Sequence, residues 1–112
     1  MIQAIAKLLR ANSLSRIDAL SRQVAELSVE AVCLHVGEQV QSMSFSEARG
    51  YVRARAAAIV RRHARLAILR HPGGDLAWAE TVARTAIERI VPSVLRKTGV
   101  GVPRAAVARL AA

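Results

Sequence analysis

Residues that interrupt helices are sparse in this chain of 112 residues, and they cluster at a few positions. No proline occurs before Pro72, and the strongest interruption is the run from His71 to Gly74. Between the interruptions, apolar side chains recur in steps of three and four residues, which is the spacing of an amphipathic α-helix, and no segment alternates as a strand does. The sequence therefore predicts an all-α fold whose two long helices span roughly residues 13–42 and 45–70.

Near the N-terminus the residues that would mark helix boundaries are weaker helix breakers than those at 71–74. Residues 1–11 are typical of a short helix that ends near Asn12, and the next helix is predicted to begin at Ser13 or Ser15. Ser15 with Asp18 three residues later is a capping-box pattern, which favours a new helix start at this point. Residues 1–17 also resemble a transit peptide in their basic, serine-containing and acid-free composition, and this alternative stays open beside the short helix.

The C-terminal third is predicted to contain one further helix and a short terminal one. Asp75 suits the N-cap of a helix over 76–91, which reaches 97 if Pro92 kinks the helix without ending it. A loop and a short, possibly peripheral helix are predicted within 99–112. The expected architecture is one domain, 1–112, folded as an elongated helical bundle or hairpin of four to five helices.

The two long helices favour self-association. Helices of about 25–30 residues are roughly 38–45 Å long, which fits poorly into a compact sphere whose radius of gyration would be about 13 Å. Aromatic residues make up only 3% of the chain, so its alanine-rich core gains little area from each side chain. Gly37 is expected to mark a close crossing of helices. The seam predicted to pair with a second subunit, giving a homo-oligomer and most simply a dimer, comprises Ile17, Leu20, Val24, Leu27 and Leu34.

Charge is distributed unevenly along the chain, whose formal net charge is +9. Residues 44–74 contain seven arginines and only Glu47 as an acid, whereas residues 1–43 balance four basic side chains with four acidic ones. Arginine accounts for 15 of the 17 basic residues, which favours binding of phosphate or carboxylate, although a GC-rich genome would enrich arginine too. The excess positive charge therefore lies mainly on the second long helix.

A helical projection of that helix places its core face and its arginines on different sides. The predicted core face comprises Phe45, Ala48, Val52, Ala56, Ile59, His63 and Leu66. Like charges three or four residues apart repel one another unless an anion neutralises them. The residues predicted to bind such an anion are Arg49, Arg53, Arg55, Arg61, Arg62 and Arg65, with Tyr51 available to stack on a base.

Several classes of partner fit an arginine-rich helix. We expect non-sequence-specific binding of nucleic acid, because the chain has no helix-turn-helix, zinc-finger or RNA-motif signature that would read bases. The alternative is an oligomeric scaffold or adaptor that docks an acidic protein. An anionic membrane surface fits less well, and no run of apolar residues is long enough for transmembrane insertion. A solvated basic face without a macromolecular partner is the remaining interpretation.

No pattern in the sequence predicts catalysis or cofactor binding. His35 and Glu38 form a single pair in the order opposite to that of di-iron helices, so no metal and no enzymatic activity are expected. Cys33 is predicted to be a small core residue and not a reactive thiol, and His63 a neutral core histidine. A single cysteine suits a reducing compartment, so a cytoplasmic location is expected.

Overall fold

The protein is described by a computed structural model that covers residues 2–100, with side chains from Ala4 onward. Three α-helices and two 3-10 turns follow one another, and no strand occurs in this range, so the predicted all-α class is confirmed. The rod they form measures 65 × 24 × 22 Å. The helices are α1 (Ile2–Val36), α2 (Phe45–Arg70) and α3 (Ala79–Lys97), and the turns are Gly37–Ser42 and Leu76–Trp78.

The prediction of four to five helices was wrong in the described range, chiefly because α1 is continuous through Asn12 and Ser13. Asparagine and serine cost only a few tenths of a kcal/mol more than alanine inside a helix, about 0.7 kcal/mol at most, which is too little to end one. Asp18, the second half of the predicted capping box, instead binds Arg22 at 3.0 Å and Arg89 at 2.7 Å. The predicted C-terminal helix lies outside the described residues.

The end of α1 also differs from the prediction, which continued the helix to residue 42. The α-helix ends at Val36, and Gly37 adopts a left-handed conformation with φ of 56°. Glycine is the residue that most readily adopts this conformation at a helix end. A Cβ at Gly37 would meet no atom within 4 Å, so the glycine does not mark a close helix crossing.

The boundaries of α2 agree with the prediction. The Ser44 hydroxyl accepts a hydrogen bond from the backbone N–H of Glu47 at 3.2 Å, which caps the start of the helix. Downstream, the Asp75 carboxylate accepts from the backbone N–H of Ala77 at 2.9 Å and so caps the 3-10 turn that leads into α3. Pro92 lies inside α3 and does not end it, which confirms the longer of the two predicted boundaries, at Lys97.

Ion pairs and hydrogen bonds define how the helices run. Asp18 of α1 pairs with Arg89 of α3, and Glu30 pairs with Lys97, so α1 and α3 are parallel. Ser28 of α1 contacts His63 of α2, whereas residues near the end of α1 lie beside the start of α2, so these two helices are antiparallel. Each helix packs against both others.

The core is built from side chains that repeat every four residues. Such a row turns by about 40° around the helix at each step, so one helix contacts different neighbours along its length. Apart from Leu20, the residues in these rows are small or β-branched, which lets the helices approach closely. The buried rows are Leu20, Val24, Ser28, Val32 and Val36 in α1; Ala48, Val52, Ala56, Val60, Ala64 and Ile68 in α2; and Val82, Ala86, Ile90 and Val94 in α3.

The predicted core face of α2 was therefore correct in its middle and wrong at both ends. Ala48, Val52 and Ala56 are buried and Ile59 packs against the core, but Phe45 and Leu66 are exposed. The prediction alternated steps of three and four, which keeps a stripe on one side of the helix, whereas the observed row advances by four and winds away from that side. His63 is half-buried, and its Nδ1 hydrogen-bonds the buried Ser28 hydroxyl at 2.8 Å.

The first half of α1 extends beyond the other helices. From Ala4 to Arg16 every side chain except Ser13 is exposed, over a length of about 20 Å. Large apolar side chains occur in this overhang, among them Leu8, which is 70% exposed. The overhang is therefore held by helix continuity, and packing among the described residues contributes little to it.

Candidate anion-binding surface

The six arginines predicted to bind an anion occupy different environments. The antiparallel packing of α2 and α3 brings two carboxylates of α3 beside two of these arginines. The predicted site residues therefore do not form one uniform face. They separate into arginines that are paired within the chain and arginines that are not.

Arg53 and Arg61 are paired with carboxylates of α3. Arg53 lies 3.0 Å from Glu88, and Arg61 lies 3.2 Å from Glu80. Both pairs are largely exposed, and such pairs contribute only about 0–1 kcal/mol each. Their guanidinium charges are nevertheless neutralised locally, so these two residues are weaker candidates for an external anion than the sequence alone predicted.

Tyr51 and Arg55 contact each other. The Arg55 guanidinium lies over the Tyr51 ring at 5.1 Å from its centroid, a cation–π geometry, and the Tyr51 hydroxyl donates a hydrogen bond to Gln39. One face of the ring and its hydroxyl are therefore occupied within the chain. The predicted stacking of Tyr51 on a nucleic-acid base would require Arg55 to move or the base to approach the other face.

Arg62 and Arg65 are exposed on α2, beside the start of α3. Neither forms an ion pair with a carboxylate among residues 4–100. Together with Arg61 they line an open groove of about 660 Å³ between α2 and the start of α3. Leu66 and Leu76, both exposed, supply apolar surface in the same groove. We call this feature the arginine groove, and it combines two unneutralised guanidinium groups with apolar contact area.

Arg49 lies in a second groove, nearer the start of α2. It shares this space of about 410 Å³ with Arg53 and with Arg96 of α3, beside Phe45 and Pro92. Arg96 was not among the predicted site residues. Its place in the last turn of the predicted helix is the available sequence signal, and it is a weak one, because basic residues are common there, where they interact favourably with the helix dipole.

The predicted oligomer seam is divided between the interior and the surface. Leu20 and Val24 are buried in the core of the chain, and Ile17 packs against that core. Leu27 is 57% exposed and Leu34 is 83% exposed. Only the last two residues of the seam are thus available to another molecule while the three helices remain packed.

Cys33 is half-buried on α1. Burial raises the pKa of its thiol above the ordinary value; Lys97 opposes the shift and Glu30 adds to it. The thiolate is the reactive form, so a raised pKa leaves less of it at neutral pH.

We expect Cys33 to react with iodoacetamide more slowly than an unstructured cysteine peptide at neutral pH. Its reaction rate should keep increasing above the pH at which the rate of the peptide reaches its plateau. Equal rates and equal pH profiles would contradict the prediction.

Comparisons with known proteins provide no relative: no protein-family model, curated protein or solved structure matches the chain. Within the described residues, no group of three or more histidine, cysteine, aspartate or glutamate side chains is placed to hold a metal ion. None of the helices in that same range combines the length and the apolar character needed to cross a membrane.

Proposed function

We propose that the protein binds nucleic acid without sequence specificity, through the arginine groove. The observation that carries the proposal is the state of Arg62 and Arg65, which are exposed and have no carboxylate partner among residues 4–100. Arg65 lies three residues after Arg62 and four after Arg61, so the three positive charges repel one another. Glu80 offsets only the charge of Arg61. A phosphate backbone would neutralise the other two.

The net charge of the chain supports the same partner. A charge of +9 on 112 residues attracts polyanions over long range and speeds their association. Release of condensed counterions from the phosphate backbone then supplies the main driving force, which does not depend on base sequence. Arg49 and Arg55 extend the positive surface along α2, whereas Arg53 and Arg61 contribute less because they are paired within the chain.

Binding should be tested by fluorescence anisotropy with a short labelled duplex and with one of its strands. We expect the affinity to fall steeply as the salt concentration rises from about 50 mM to about 200 mM. The double substitution Arg62→Gln/Arg65→Gln should reduce the slope of log K against log salt by about 2, because two phosphate contacts are lost. At low salt the same variant should bind about tenfold more weakly, which corresponds to a loss of about 1.4 kcal/mol of binding free energy.

A matched control separates the groove from net charge. Lys7→Gln/Arg10→Gln removes two exposed basic side chains of the overhang that line neither groove and changes the net charge equally. We expect this control to bind nearly as tightly as the unmodified protein. Absence of binding at low salt would refute the proposed function, and equal weakening by both double variants would refute the assignment to the groove.

One observation favours a second candidate, the docking of an acidic protein. Leu66 and Leu76 in the arginine groove would suit an amphipathic helix that carries carboxylates beside apolar side chains, whereas a phosphate backbone makes no use of leucine. Leu66→Gln distinguishes the two candidates. It should leave duplex binding unchanged if nucleic acid is the partner, and it should release a co-purifying acidic protein if the second candidate is correct.

A further inference from the structure

A second exposed surface runs along the whole of α1, on a side that the core does not use. It begins at Ile5, passes Leu9, Arg16, Ala19 and Leu27, and ends at Leu34, and all six residues are exposed. Their spacings of 4, 7, 3, 8 and 7 residues are sums of steps of three and four, so they stay on one side of the helix over about 45 Å. The exposed polar residues Asn12, Gln23 and Glu30 occupy the intermediate positions on the same side. We call this set the outer row. Large apolar side chains lie at both of its ends, and the small Ala19 lies near its middle.

The overhang of α1 gains little stability from packing among the described residues. It continues a packed helix and needs no new nucleus, but most helical stability in proteins comes from tertiary packing of an apolar face. Ile5 and Leu9 are exposed on the overhang. Burying one leucine or isoleucine side chain contributes about 1.5–3 kcal/mol. A partner along the outer row would therefore stabilise both the helix and its exposed apolar residues.

The two ends of the outer row match under a two-fold axis. If a second α1 runs antiparallel, with the axis between Ala19 and Leu20, Ile5 of each copy lies opposite Leu34 of the other. Leu9 then lies opposite Glu30, within about one turn of Leu27 and Leu34, and Leu27 lies opposite Asn12 of the second copy. The same residues thus meet at both ends, as an isologous contact requires. A parallel arrangement would instead bring the arginines at position 16 together.

Charge along α1 favours the same orientation. Residues 4–16 contain Lys7, Arg10 and Arg16 and no acid, whereas residues 26–38 contain Glu26, Glu30 and Glu38 and no lysine or arginine. An antiparallel pair places the positive end of each helix beside the negative end of the other, and a parallel pair places like charges together. The acidic half also opposes an anionic membrane along the outer row. A second copy is the occupant that suits both halves.

We propose that two copies of this chain associate through the outer rows of their α1 helices, antiparallel, so that the overhang of each copy packs on the second half of α1 of the other. This surface replaces the predicted seam, of which it retains Leu27 and Leu34. The proposed interface contains neither Arg62 nor Arg65, so loss of the dimer and loss of nucleic-acid binding can be measured separately.

Sedimentation equilibrium of the full chain tests the interface. We expect a concentration-dependent dimer, and we expect Leu27→Glu/Leu34→Glu to raise its dissociation constant about a hundredfold or more. Leu69→Glu/Leu76→Glu, which changes two exposed leucines outside α1, should leave the dimer unchanged. Circular dichroism checks that every variant remains folded. A monomer at the highest accessible concentration, a wild-type monomer that binds anionic vesicles, or a dimer that tolerates Leu27→Glu/Leu34→Glu would overturn the proposal.

The orientation has its own test. Ile5→Lys/Leu9→Lys should also give a monomer, but mixing it with Leu27→Glu/Leu34→Glu should restore a one-to-one dimer. In the antiparallel pair the substituted ends carry opposite charges and face each other, while the two unsubstituted ends keep their apolar contact. In a parallel pair the substitutions never meet. A mixture that stays monomeric would overturn the antiparallel arrangement.

Discussion

Replacing Leu20 by alanine is expected to lower the free energy of unfolding by about 2–5 kcal/mol. Leu20 is only 2% exposed and begins the buried row of α1. The substitution removes most of its apolar contact and leaves a cavity between helices that cannot fully close. Because alanine is at least as good a helix former as leucine, the loss reports packing and not helix propensity. Urea denaturation followed by circular dichroism at low protein concentration measures it.

Leu14→Ala is the matched control on the same helix. Leu14 is 60% exposed, so the same change should cost less than about 0.5 kcal/mol. The loss at Leu20 should also be independent of protein concentration, since this leucine packs within its own chain. If the loss instead grew as the protein was concentrated, Leu20 would belong to a contact between subunits. Equal effects of the two substitutions would contradict the observed core.

Two glycines are expected to respond to alanine with opposite signs. A Cβ at Gly74 would overlap the Ile68 carbonyl oxygen and lie 3.1 Å from that of His71, so the turn after α2 must shift to admit it. We expect Gly74→Ala to destabilise the protein by more than about 1 kcal/mol. At Gly50, inside α2, a Cβ would meet nothing within 4 Å, and alanine should stabilise the helix by about 0.5–1 kcal/mol.

The same denaturation experiment measures both changes. A Gly74→Ala protein as stable as the unmodified one would show that the close approach to the carbonyl oxygens does not constrain the turn. A Gly50→Ala protein of lower stability would show that α2 has a neighbour at that position, since open space leaves only the gain in helix propensity. The second outcome would in turn identify Gly50 as part of an interface.

Local signals predicted the helix boundaries well where a strong residue enforces them. Ser44 and Asp75 cap as predicted, and the turn after His71 occurs where proline and glycine require it. The weak signals around Asn12 and Ser13 failed, because continuity of the backbone hydrogen bonds outweighs a few tenths of a kcal/mol of propensity. A helix end can thus be predicted from sequence where continuing the helix through the interrupting residue costs more free energy than the additional turn would contribute.

Whether an arginine is paired with a carboxylate could not be predicted from the sequence of its own helix. Arg53 and Arg61 are neutralised by Glu88 and Glu80, which lie 35 and 19 residues away in sequence. Their spacing of eight residues on α2 does match that of the two glutamates on antiparallel α3, and this correspondence was the available signal. Arg62 has no such counterpart. The arginine groove therefore depends on which carboxylates the topology brings near, and composition alone does not determine that.

The parallel run of α1 and α3 imposes an order on synthesis of the chain. When α2 has left the ribosome, α1 and α2 can close as an antiparallel hairpin. Asp18 and Glu30 still lack their partners Arg89 and Lys97, and the side of the hairpin that α3 later covers is exposed to solvent. Chains grow at about 5–20 residues per second, so this half-built state persists for at least a second or so. Aggregation during expression is thus most acute just before α3 emerges, and products truncated before α3 carry that liability permanently.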